Sequence, residues 1–179
     1  YPHAYYRVFH IDKKNGKKRK ISEPLPSLKE IQQWILAEIL YKCNFSDYAM
    51  AFIPRRSIRH NASFHKNQNK VLSIDVKNFF GSIGFHKVYR FFKTLGYSKQ
   101  VSGLISCLCC LDGTLPQGAP TSPALSNLIF LRADARIAGF AKKHGIMYTR
   151  YADDLSFSGE FNEGMVIKFI KSVLKDERL

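Results

Sequence analysis

From Ile146 to Gly159 the chain reads IMYTRYADDLSFSG, and no other stretch constrains its fold as strongly. Met147, Thr149, Tyr151 and Leu155 share one parity, the period-two signature of a strand. Two adjacent carboxylates, Asp153 and Asp154, interrupt the run. Aspartate is depleted in strands. Two unit charges about 4 Å apart repel by ~4 kcal/mol at an effective dielectric of 20. The segment therefore reads as a β-hairpin with arms MYTRYA and LSFS and the carboxylates at its tip. A third carboxylate, Asp75, closes a short apolar strand, Val71 to Ile74. Taken alone, ADD is more simply a turn, where Asp is common. Three carboxylates at strand ends also suit hard Mg2+, which takes carboxylates, water and substrate phosphates. Two such ions about 3.5–4 Å apart stabilise the attacking and leaving oxygens of phosphoryl transfer.

The remaining composition narrows the partners. A net charge of +14 over 179 residues attracts a polyanion, either nucleic acid or an anionic membrane surface. Hydrophobic residues make up 45%, enough for a core and too many for wholesale disorder. The length suits one domain or two small lobes. No apolar run approaches the length of a membrane span, and no signal peptide is visible. Cys43, Cys107, Cys109 and Cys110 lack paired zinc spacing and suggest no disulfide framework. They read as small buried hydrophobes in a reducing compartment, so a cytoplasmic location without membrane attachment is expected.

Along the chain, YYRVFHIDKKNGKKRKISEP reads as two strands joined at an Asn15-Gly16 turn. Six of the eight residues from Lys13 to Lys20 are basic, a tip suited to phosphates. Ser27 and Glu30 have capping-box spacing, and Leu28, Ile31, Ile35, Ile39 and Leu40 follow at helical intervals. AFIPRRSIRHNASFH is turn-like and basic. Helices are expected before Gly96, before Gly113, and from the start near Pro123 to Gly145. EGMVIKFIKSVLKDERL reads as a final amphipathic helix.

In this setting the chain resembles the reverse transcriptases. YADD at 151–154 is similar to their catalytic signature. SIDVKNFF at 73–80 is similar to their first catalytic motif, an Asp followed five residues later by an aromatic. LPQGAPTSP at 115–123 looks like their nucleotide-pocket loop. The three occur in the family's order. Asn61, Ala62 and His65 in RHNASFH are similar to the Asn-Ala-x-x-His element of bacterial retron enzymes, and CCLDGTLPQGAPTSP and YTRYADDLSFS also look retron-like. Read without the resemblance, Asn61 caps a helix and His65 packs against it.

The resemblance implies roles. Asp75 and Asp153 would bridge two Mg2+ ions, with Asp154 beside them, the Val76 backbone lining the site, and Mn2+ a possible substitute. Phe80 would lie under the incoming sugar and exclude a 2′-hydroxyl. Gln117 would line the nucleotide pocket, and Gly118 would let the backbone approach the nucleotide closely. Arg19 would hold the triphosphate as a bidentate fork, with Lys13 or Lys14 as second cation. Tyr151 would sit near the primer end. Arg55, Arg56, Asn61 and His65 would touch RNA.

The expected fold is α/β, a right-hand polymerase palm with fingers. The fingers would be 1–70 and 84–115, and the palm 71–83 and 116–179. The family's thumb, with its retron Val-Thr-Gly element, is not represented in these residues. The resemblance further implies copying of a cognate structured noncoding RNA from deoxynucleoside triphosphates. The product would be an RNA–DNA hybrid, made in phage defence beside a possible effector protein. The alternatives are another bacterial reverse transcriptase, of group II intron or abortive-infection type, and a non-catalytic RNA-binding scaffold.

Overall fold

The computed structural model describes residues 2–12, 16 and 18–179. Its elements run β1 (Tyr6–Asp12), β2 (Lys18–Pro24), α1 (Pro26–Glu38), α2 (Ile58–Ser63), β3 (Val71–Asp75), α3 (Phe79–Ser82), α4 (Phe85–Thr94), α5 (Lys99–Cys109), α6 (Thr121–Lys143), β4 (Met147–Tyr151), β5 (Asp154–Ser158) and α7 (Glu163–Glu177). The expected Asn15-Gly16 turn, Lys13, Lys14 and Lys17 involve positions outside the described residues, apart from Gly16 itself.

The chain divides into two compact units, one of residues 1–43 and 80–129 and the other of 44–79 and 130–179. Residues 44–70 thus belong to the unit of the strands that carry the carboxylates, and 116–129 to the unit of the first hairpin.

In the first unit β1 and β2 form an antiparallel hairpin, from Tyr6 opposite Pro24 to Asp12 opposite Lys18. Tyr6, Leu28 and Leu111 form a small core with Leu108 against it. Gln32 is buried there, and its amide donates to the Tyr6 hydroxyl at 3.0 Å and the Leu108 carbonyl at 2.7 Å. Helix α1 departs from the capping-box reading. Its N-cap is Leu25, with no side-chain cap, and Pro26 occupies the first turn. Proline's fixed φ suits that position and its missing N–H costs nothing there, so Ser27 falls inside the helix. Cys109 and Cys110 are buried, and burial pushes both thiols up to about 12. Cys107 is exposed, against expectation, because it faces away from the α5 stripe of Ser102, Ile105, Ser106 and Cys109.

In the second unit β3, β5 and β4 form an antiparallel sheet with β5 in the centre. The segment Tyr48–Met50 runs along the free edge of β4, where Arg150 N–H donates to Tyr48 O and Met50 N–H to Arg150 O. The α6 residues Phe130, Ala133, Asp134, Ile137, Ala138 and Ala141 are buried at helical spacing. Helix α7 buries Val166, Ile170 and Val173, and stacks Phe169 on Phe140 with centroids 4.0 Å apart. Arg136 ties the two helices by ion pairs to Asp176 at 2.7 Å and Glu177 at 3.0 Å. Among the described residues, no helix is long and apolar enough to cross a membrane.

Candidate active site

The carboxylates meet at one end of the sheet. Asp75, the last residue of β3, lies directly opposite Asp154, the first residue of β5, which in turn lies opposite Tyr151. The β4–β5 loop is Ala152–Asp153, so Asp154 belongs to an arm rather than to the tip. Ala152 has φ 58°, the left-handed form that tight hairpin turns require and that alanine rarely adopts. Val76 N–H donates to the Asp153 carbonyl at 2.9 Å, fixing the turn to the end of β3.

Burial pushes the Asp154 carboxyl above the ordinary range, and the charges of Asp153 and Asp75 push it further. Asp154 therefore feels both of its carboxylate neighbours. Among the described residues no three His, Cys, Asp or Glu side chains close into a ready-made metal cage. Three carboxylates at one end of the sheet are nonetheless the donor type that a hard divalent cation takes.

The other nucleotide-site candidates belong to the first unit. Arg19 is exposed on β2, opposite Ile11. The loop carrying Gln117 and Gly118 docks on β2, where Ser22 N–H donates to the Gln117 carbonyl at 2.7 Å. Gly118 has φ 117°, and a Cβ there would meet Ile21 Cγ2 and the Ser22 carbonyl oxygen, each at 2.9 Å. Gly118 thus lies in close contact with β2. Phe79 and Phe80 divide their work: Phe79 is core, packed on Phe130 at 5.7 Å, whereas Phe80 is only half-buried.

The RNA candidates also divide. Arg55 is exposed and left-handed, with φ 67°. Arg56 is pinned, donating to the carbonyls of Ser46 at 2.5 Å and Ala49 at 2.7 Å. Asn61 does not cap α2; Ser57 does, accepting from His60 N–H, and Asn61 is buried within the helix. His65 bridges the sheet, with Nδ1 2.7 Å from Ser158 Oγ and Nε2 2.7 Å from Thr149 Oγ1. Beside these candidates, Arg59 and Lys66, on and just beyond α2, are exposed cations that sequence reading passed over.

Burial lowers the His65 pKa. The fold thus favours the neutral ring, and the unfolded chain binds more protons once pH falls below the ordinary value of about 6.5. His65 contributes fully above that value and loses its contribution as pH falls toward the lowered one. Denaturant unfolding between pH 7 and pH 5 should show a shallower loss of stability in His65→Gln than in the parent. Identical slopes would remove the bridge as a source of pH dependence.

Sequence reading also missed Arg150 and Asp134, a fully buried ion pair at 2.8 Å beneath the turn. The available signals were an arginine inside an apolar strand and an aspartate inside the apolar stripe of α6.

A family model described as reverse transcriptase (RNA-dependent DNA polymerase) matches residues 11–176. The chain is 40% identical over 178 residues to the retron Ec86 reverse transcriptase of Escherichia coli, covering 97% of this chain and 56% of that protein. It is 38% identical over 174 residues to the retron Mx65 reverse transcriptase of Myxococcus xanthus, covering 87% of this chain and 41% of that protein. The chain thus spans about half the length of these curated relatives. A solved structure of telomerase from Candida albicans, in complex with a fragment of telomeric RNA, matches with a TM-score of 0.56 over 95% of this chain and 40% of that one. Its 10% sequence identity makes that a likeness of fold, the palm-and-fingers fold expected from the motifs. The carboxylates at the sheet end, the loop on the first hairpin and these relatives agree: the chain belongs to the reverse transcriptase family and is of the retron type.

Proposed function

We propose that the protein is an RNA-directed DNA polymerase that copies a cognate structured noncoding RNA into DNA from deoxynucleoside triphosphates. The observation that carries this reading is the placing of Asp75, Asp153 and Asp154 together at one end of one sheet. The identity to retron reverse transcriptases supports the polymerase reading, and the proposal extends it to an RNA–DNA product and a setting in phage defence beside an effector protein.

Asp75, Asp153, Asp154 and the Val76 carbonyl would hold Mg2+, with Mn2+ as substitute. When bound, the metal supplies positive charge that acidifies the primer hydroxyl and offsets charge on the departing pyrophosphate. The side chains then need only position the reactants. Arg19 grips the triphosphate through its planar fork. Gln117 lines the nucleotide pocket, and Tyr151 supports the primer end. Phe80 would exclude a ribose 2′-hydroxyl. Arg55 and the neighbouring cations bind RNA phosphates, with salt-dependent affinity.

Phe80→Ala tests this assignment. Removing the ring should raise the ratio of ribonucleotide to deoxynucleotide incorporation by roughly 10–200-fold, the range over which a steric pocket discriminates. Single-nucleotide extension of a primed RNA template measures the ratio. An active variant with the parent's ratio would show that Phe80 does not gate the sugar.

A further inference from the structure

Arg150 on β4 is an unexpected group for the core of a sheet. It is 0% exposed and its partner Asp134 on α6 is 1% exposed. Arg150 Nε donates to Asp134 Oδ1 at 2.9 Å and Nη2 donates to Oδ2 at 2.8 Å, a bidentate fork. The Tyr148 hydroxyl donates to the same Oδ1 at 2.7 Å. The guanidinium lies 4.4 Å from the Phe130 ring centroid and 5.9 Å from that of Phe79. Replacing such a buried pair by apolar residues of similar volume is often neutral or stabilising. Stability alone therefore does not account for it.

The remaining arm of the guanidinium offers an account. Nη1 donates to the carbonyl of Ala152 at 2.9 Å. Ala152 is the left-handed residue of the turn, and its carbonyl belongs to the peptide that leads into Asp153. The next peptide is also held, because Val76 N–H donates to the Asp153 carbonyl. Both peptide planes flanking Asp153 are thus fixed, one by the Arg150 side chain and one by the end of β3. Alanine does not favour this conformation by itself, so the surroundings must hold it.

We infer that Arg150, anchored by Asp134, is a positioning residue that holds the Ala152–Asp153 turn and so aims the Asp153 carboxylate. The inference rests on the proposed role of Asp153 in nucleotidyl transfer. A lysine would not substitute, since one ammonium cannot grip both Asp134 oxygens and the Ala152 carbonyl in a fixed plane.

The test uses the complete gene product in three forms: the double variant Asp134→Leu/Arg150→Met, the single variant Arg150→Lys, and Asp153→Asn as control. Thermal unfolding, amide hydrogen exchange at Val76, and kcat and KM for deoxynucleotides on a primed RNA are measured for each. The double variant should fold but melt somewhat lower than the parent, because the Tyr148 hydroxyl and the Ala152 carbonyl lose these partners. Its Val76 amide should exchange faster, and its kcat should fall about 100-fold, as a displacement near 1 Å can cause. KM and RNA affinity should stay close to the parent's. Arg150→Lys should change exchange and kcat in the same direction. A well-folded double variant with the parent's kcat and Val76 exchange would overturn the inference, leaving the pair as core. Should the double variant not fold, Arg150→Lys decides by the same two readouts. If Asp153→Asn keeps full activity, the role of Asp153 falls, whereas Val76 exchange still reports whether Arg150 holds the turn.

Discussion

Asp153→Asn should abolish DNA synthesis while leaving RNA binding intact. The substitution keeps the side chain's shape and removes one of three carboxylate charges at the sheet end. Loss of one well-placed electrostatic contact to a reacting centre costs about 100–1,000-fold in kcat, and a metal-facing carboxylate should lie at the upper end. Stability should hold, because the change removes the Asp153 charge, which adds to burial in raising the Asp154 carboxyl. RNA affinity should also hold, because the proposed RNA contacts are exposed cations such as Arg55, Arg59 and Lys66 rather than the carboxylates. Primer extension and a binding titration at fixed salt separate the two effects. Near-normal extension by this variant would remove Asp153 from the reaction.

Gly118→Ala should be the most damaging single methyl in the first unit. The new Cβ would stand 2.9 Å from the Ser22 carbonyl oxygen, which is backbone and cannot swing aside. It would also demand φ 117° of an L residue. Left-handed strain of roughly 1–3 kcal/mol and overpacking of similar size together predict a loss of about 2–6 kcal/mol, read by denaturant unfolding. The alternative response is for the loop to lift from β2, breaking the bond from Ser22 N–H to Gln117 O. Gln117 would then move, and KM for deoxynucleotides should rise. Parent-like stability together with parent-like KM would show that the loop does not need its seat on β2.

The carboxylate hairpin was legible because charge inside a β-period segment has few explanations. The end of β3 at Asp75 was legible for the same reason. Helix α4 announced its end through Gly96, whose backbone preference acts locally, whereas the N-caps Ser98 of α5 and Asn162 of α7 went unread. What escaped was set by distant contacts. Nothing local to Arg150 says that Asp134, sixteen positions earlier, will meet it. Likewise Gly118 shows in sequence only that some backbone comes close, not that it is Ser22. His65 was chosen for its motif, yet both ring nitrogens are engaged by Thr149 and Ser158, far along the chain. The capping-box reading of α1 failed locally, because Pro26 begins a helix as readily as Ser27 caps one.

The direct test of a carboxylate-centred, RNA-templated polymerase is deoxynucleotide incorporation by the complete gene product on its primed RNA. Extension should require Mg2+, stop on chelation, return with Mn2+, and vanish separately in Asp75→Asn, Asp153→Asn and Asp154→Asn, each still binding RNA. Tight RNA binding by the parent with no incorporation under either cation, or extension that survives all three substitutions together, would contradict it.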